Sequence, residues 1–246
     1  MSRFFILLGQ SNMVGRGDPL LHLGCVCSKI GCQLFRRGEW VEARHPLQDP
    51  DDPVFSTNAD RLGGIGPGLS FGRAIGANDV CSIGLLLCAK GGTGIGAWGR
   101  EGILYTTMRE RLRAASLAST LAGALIYIGE SDTHSIEAAE AWKVSFEALV
   151  SDLRTDSGEP DLPIVFAQLS TITPERRAKR IHGYVGWDWL KEVQRTVTTP
   201  RVAMVATDDL HLEPDGLHLS AHSADILGKR FAAKMCGLLN NNRPDR

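Results

Sequence analysis

The stretch Phe4-Phe5-Ile6-Leu7-Leu8-Gly9-Gln10-Ser11-Asn12-Met13 decides how the rest of the chain is read. Five apolar residues stopped by a glycine have the length and composition of a buried strand. Ser11 then stands where a first strand ends and the chain turns. Open α/β sheets hold their reactive groups outside the carboxyl ends of the strands. A serine hydroxyl is a weak nucleophile by itself, so this position asks for a base and an oxyanion site elsewhere in the chain.

Beyond this stretch, apolar and helical patterns alternate. Further strands are expected over 81–88, 122–128, 164–169 and 201–205. Helices are expected over 68–77, 103–119, 136–154, 187–196 and 221–239. Ser220 is suited to cap the last helix, and Thr133 or Ser135 the one that carries Glu137 in its first turn. This alternation predicts a single domain over 1–246, with a mainly parallel five-stranded sheet, right-handed crossovers and helices on both faces. Two segments interrupt the rhythm. Residues 16–66 carry a weak hairpin signal at 32–35 and 40–43. Residues 170–186 carry Pro174, Arg176, Arg177, Lys179 and Arg180. Connections this long often build binding sites.

Composition narrows the partners. The chain has 246 residues, 43% hydrophobic and 22% charged, with a formal net charge of −1. That balance supplies no electrostatic reason to bind nucleic acid or an anionic membrane. No apolar stretch has bilayer-spanning length. The basic run reads as solvated surface, and the sequence carries no signal for an oligomeric state. The N-terminal apolar run is too short for a signal peptide, which points to the cytoplasm; secretion would require a leader removed upstream. Of six cysteines, Cys81 and Cys88 read as small core residues. Cys25, Cys27 and Cys32 cluster near His22, but their spacing lacks the Cys-x2-Cys knuckle of zinc sites. Reduced thiols are the expectation, with no metal.

A candidate base lies at the far end, in Asp215-Gly216-Leu217-His218-Leu219-Ser220. Imidazole titrates near neutrality and can take the serine proton and return it to a leaving alcohol. An acid must hold the other ring nitrogen, and one tight turn can present Asp215 and His218 to the same point. Asp208-Asp209-Leu210-His211 repeats the spacing. The second copy is preferred, because Gly216 permits the turn and a capped helix follows at once.

These residues together resemble the SGNH hydrolases, and more narrowly the sialate O-acetylesterase-like group that includes carbohydrate esterase family six. The resemblance rests on Gly9-Gln10-Ser11-Asn12-Met13 and Asp215-x-x-His218. It extends through Gly66-Pro67-Gly68-Leu69-Ser70-Phe71-Gly72, Lys90-Gly91-Gly92-Thr93, Gly129-Glu130-Ser131-Asp132, Glu192-Val193-Gln194 and Leu227-Gly228-Lys229-Arg230-Phe231-Ala232. It implies a three-layer α/β/α sandwich of SGNH/flavodoxin-like type, and a serine esterase that removes acetyl groups from sugars with no cofactor. The implied catalytic set is Ser11, His218 and Asp215. The implied oxyanion and substrate-binding set is Ser11, Gly92, Asn12, Gln10, Gly129 and Glu130. Met13 in place of a glycine argues against the Gly-x-Ser-x-Gly elbow of other hydrolases.

One position departs from the pattern. Relatives tend to carry a glutamine before Gly-Glu-Ser-Asp, where this chain has Ile128. Isoleucine donates no hydrogen bond, and one lost oxyanion donor costs about two to three powers of ten in turnover. Asn12 or the Gly129 N–H are the candidate substitutes. Glu130 and Asp132 also have a structural reading, as carboxylates accepting loop N–H groups. Trp98, Tyr184, Trp187 and Trp189 are candidates either for stacking on sugar rings or for ordinary packing. Two other functions stay open from the residues: a broad small-ester or thioester hydrolase, and a non-catalytic carbohydrate-binding protein on the same scaffold.

Overall fold

The computed structural model describes residues 3–21, 31–56, 63–77, 82–178 and 183–240. The opening apolar run forms strand β1 (Arg3–Gly9), with Phe4 to Leu8 wholly buried. A one-turn helix, α1 (Ser11–Val14), follows. Next come β2 (Cys32–Arg36), β3 (Glu39–Glu42), α2 (Pro67–Gly76), β4 (Ile83–Ala89), α3 (Ile103–Ser116) and β5 (Thr120–Tyr127). The chain ends with α4 (Ile136–Ser157), β6 (Ile164–Ala167), α5 (Pro174–Ala178), α6 (Trp187–Arg195), β7 (Val202–Val205) and α7 (Ala221–Asn240).

All strands lie in one sheet of order β3-β2-β4-β1-β5-β6-β7, and every pairing except β2 with β3 is parallel. The sheet therefore has seven strands, which corrects the expected five. The two extra strands are the hairpin at 32–42, and β2 joins it to the sheet by pairing Cys32 to Leu34 along Ile83 to Leu85 of β4. Its turn explains the weak signal. Arg37 and Gly38 both adopt positive φ, 52° and 89°. Such a two-residue turn usually announces itself with Asn-Gly or Asp-Gly. Here arginine takes the left-handed position, and its guanidinium is clamped by Asp49 and Asp51, each at 2.7 Å.

Helices flank the sheet in two groups. Helices α2 and α7 pack on each other; Phe5 and Phe71 meet edge to face there, at 4.9 Å between centroids. Helix α4 packs on α3 and α6, and Phe166 of β6 meets Trp142 and Phe146 of α4. Ser135, rather than Thr133, caps α4 by accepting the Ala138 N–H at 3.1 Å. Ser220 opens α7 by accepting the Ser223 N–H. Helix α4 runs past the expected 154 until Gly158 turns left-handed, and α3 stops short of 119.

The strand order puts β1 between two halves. From β1 the chain builds β3-β2-β4 on one side, then crosses to build β5-β6-β7 on the other. Such a switch in direction opens a crevice at the carboxyl end of the central strand. Ser11 lies there.

Cys32 and Cys88 are buried free thiols, both pushed up to about 12 by burial. Cys32 sulfur packs against Gly72 of α2, so this member of the cluster belongs to the core. His22, Cys25, Cys27, Cys81, Lys179 and Arg180 lie outside the described residues. Among the described residues no helix is long and apolar enough to cross a membrane.

Candidate active site

Gly9 closes β1 at φ +147°, and a Cβ there would lie 2.1 Å from the Tyr127 carbonyl oxygen. Only glycine fits this close approach between β1 and β5. The Gln10 N–H donates to that same carbonyl at 3.0 Å. Ser11 is therefore launched from a backbone pinned on one side. It is the first residue of α1, where backbone N–H groups lack intrahelical acceptors.

His218 arrives on a closed loop. Leu212 and Leu219 form an antiparallel bridge, and inside it the Glu213 N–H donates to the His218 carbonyl at 2.7 Å. Gly216 turns at φ +71°. Asp215 then accepts three bonds: from the Leu217 and His218 N–H groups at 2.9 and 3.0 Å, and from His218 Nδ1 at 2.5 Å. The other ring nitrogen, Nε2, lies 2.9 Å from Ser11 Oγ, across 207 residues of chain. Partial burial pushes the Asp215 carboxyl upward, but the His218 ring and the two backbone donors outweigh it and hold the group well below the usual carboxylate range. The arrangement can pass a proton from hydroxyl to imidazole while a carboxylate fixes the ring.

The repeated spacing upstream does not behave this way. Asp208 bonds Lys191 and Thr171, and Asp209 pairs with Arg230. His211 is exposed, and its carbonyl accepts the Ser220 N–H.

A second set of contacts runs beside the first. Asn12 Oδ1 accepts the Leu219 N–H at 2.9 Å, and Asn12 Nδ2 donates to Glu130 Oε1 at 2.7 Å. Gln10 Oε1 accepts the Ser131 N–H at 3.4 Å. Gln10, Asn12 and Glu130 are all buried. Burial pushes the Glu130 carboxyl up to about 7, against the Asn12 bond. Asp132 is pushed up to about 6 by burial and accepts the Ile95 N–H. That bond ties the segment after Gly92 to the segment after Gly129.

Gly92 follows β4, the neighbour of β1, on an exposed turn at φ +78° with open space where a Cβ would stand. Gly129 is different. It is buried at φ +145° against Leu169, Leu190 and Gln194 side chains. Ile128 is a buried core residue. The aromatic candidates divide. Trp98, Tyr184 and Trp187 are buried and serve packing; Trp98 stacks on Phe55, and Trp187 donates to the Ser170 carbonyl. Trp189 on α6 is half exposed. A separate cavity of about 330 Å³, lined by Arg36, Asp52, Phe55 and Arg111 among others, shares no residue with this site.

The model of the family described as carbohydrate esterase, sialic acid-specific acetylesterase, matches residues 1–237. The chain belongs to this family. A probable carbohydrate esterase from Arabidopsis thaliana is 31% identical, over 94% of this chain and 89% of its own length. An X-ray structure of an Arabidopsis thaliana protein aligns with a TM-score of 0.79 at 30% identity, covering 96% of this chain and 98% of that one. The structure of NanS aligns with a TM-score of 0.71 at 16% identity, covering 98% of both chains, and so speaks to the fold.

Sequence reasoning missed the double use of Asn12. The signal was there in part: a buried-type amide directly after the candidate nucleophile. Its two partners, Leu219 and Glu130, lie 207 and 118 residues away.

Proposed function

We propose that this family member is a serine esterase that removes O-acetyl groups from carbohydrates, with acetylated sialic acid or acetylated polysaccharide as substrate. The observation that carries the reading is the 2.9 Å contact between Ser11 Oγ and His218 Nε2, with Asp215 on the opposite ring nitrogen. The family description supports the acetyl-ester class.

In this reading Ser11 Oγ attacks the acetyl carbonyl carbon while its proton passes to His218 Nε2. Asp215 holds the Nδ1–H and stabilises the imidazolium. The carbonyl oxygen becomes an oxyanion, for which the Ser11 and Gly92 N–H groups are the donors. Collapse expels the sugar oxygen, which takes the proton from His218. Water then attacks the acetyl-serine, giving its proton to His218, and acetate leaves as Ser11 recovers it. Ile128 supplies no side-chain donor, so the oxyanion relies on backbone groups.

The test is hydrolysis of p-nitrophenyl acetate by the parent, Ser11→Ala and His218→Ala. Both variants are expected to lose activity; retained turnover in both rules out the serine esterase. Acetylated sialic acid, acetylated xylan and longer acyl esters then separate a sugar deacetylase from a broad ester hydrolase.

A further inference from the structure

We infer that Asn12 and Glu130 form a positioning relay that fixes the His218 loop onto Ser11. Resting on the proposed esterase reading, the relay makes Glu130 a positioning residue that touches neither substrate nor the reacting atoms.

The geometry is a ladder with two rungs. One rung is Ser11 Oγ to His218 Nε2, at 2.9 Å. The other joins the next residue on each side, Asn12 Oδ1 to the Leu219 N–H, also at 2.9 Å. The second rung fixes the backbone immediately after the base relative to the backbone immediately after the nucleophile. It works only if the Asn12 amide presents its oxygen to Leu219. A side-chain amide can turn over and present its NH2 instead, and then two donors would face each other.

Glu130 sets that choice. Its Oε1 accepts from Asn12 Nδ2 at 2.7 Å. A flipped amide would place oxygen against oxygen in a buried site. Among the described residues nothing donates to the other oxygen, Oε2, which is also buried. Asn12 is thus the one side chain that the carboxyl serves. A buried carboxyl with one side-chain donor is a poor stabilising device, because burial of an underpaired acid opposes folding. Its service is to hold an orientation. Misplacing a reacting group by about 1 Å costs on the order of 100-fold in rate.

The test is a swap of donor and acceptor, read by kcat and KM on p-nitrophenyl acetate and by the rate at which a fluorophosphonate labels Ser11. Asn12→Asp keeps the acceptor for Leu219 but sets two carboxyl groups against each other. It is expected to lower kcat and the labelling rate by roughly 10- to 100-fold, with KM little changed. Adding Glu130→Gln to it restores a donor and acceptor pair with reversed polarity, and is expected to recover most of the loss. Glu130→Leu alone is expected to fall as Asn12→Asp does. A double variant no better than Asn12→Asp, or an Asn12→Asp variant that matches the parent, overturns the relay. A parent that is neither labelled nor active sinks the esterase reading itself, which separates the two failures.

Discussion

Asp215 and His218 meet at 2.5 Å because Gly216 between them turns left-handed at φ +71°. A Cβ on Gly216 would lie 2.5 Å from Thr173 Oγ1 and 3.1 Å from Arg176 Cβ. Gly216→Ala must therefore strain the backbone and displace the 173–176 segment. Left-handed backbone costs a non-glycine residue roughly 1–2 kcal/mol. The variant is expected to melt lower and, in the proposed mechanism, to turn over more slowly, because the turn that joins Asp215 to His218 is disturbed. Calorimetry with parallel kinetics checks both; an unchanged kcat would detach this turn from the chemistry.

Asp215→Asn keeps the shape of the turn and removes the charge. An amide that donates to Nδ1 leaves Nε2 carrying the proton, so the ring cannot accept one from Ser11. A fall in kcat of about four powers of ten is the size seen when this tautomer is imposed elsewhere. Because Asp215 is held below the usual range in the folded chain, its contribution to stability is present above its ordinary value of 3.8 and fades as pH falls toward its folded value. Acid melts of parent and variant are expected to converge at low pH; a gap that widens on acidification contradicts the pairing.

His211 and His218 form a matched control. His218 reaches Ser11, whereas Asp208 of the upstream copy is bound to Lys191. His211→Ala is expected to keep turnover within about twofold, since exposed surface substitutions away from such features have small effects. His218→Ala is expected to lose it. Equal losses in the two would show that the wrong copy has been assigned.

Glu130 carries a pH signature in stability. Its carboxyl stands near 4.5 when unperturbed and at about 7 in the folded protein, mainly through burial. The folded chain therefore binds the proton more tightly than the unfolded one. Stability is highest below the ordinary value, falls as pH rises through this window, and carries the full deficit above it. Glu130→Gln removes the titrating group. It is expected to melt above the parent at about pH 8.5 and to approach it near 4.5, with an upper bound of roughly 3 kcal/mol. Asp132, raised in the same sense, stays in both proteins. A pH-independent difference in melting temperature would contradict a buried, titrating Glu130.

Strands β1, β4, β5 and β6 were legible because each holds a continuous apolar run that is buried on both faces over most of its length. The hairpin strands were faint. Their residues alternate irregularly in exposure, and their turn uses Arg37 where Asn or Asp is usual. Spacing and turn chemistry pointed to Ser11, Asp215 and His218, and the three side chains do meet. The roles of Asn12 and Gly129 were not. An amide beside a nucleophile suits a substrate as well as a protein partner, and only the fold brings Glu130 and Leu219 to it. Three of the four aromatic candidates went to packing for a similar reason, since large rings after strands fill the layer beneath the loops as readily as they line a cleft.

In the proposed mechanism Ser11 and His218, 207 residues apart in the chain, meet so that one hydroxyl is activated. Fluorophosphonate treatment followed by peptide mapping reads that activation with no substrate assumed. A single adduct on Ser11, lost in His218→Ala, is the expected result. An unlabelled parent, or labelling of Ser11 that persists undiminished without the His218 ring, would contradict it.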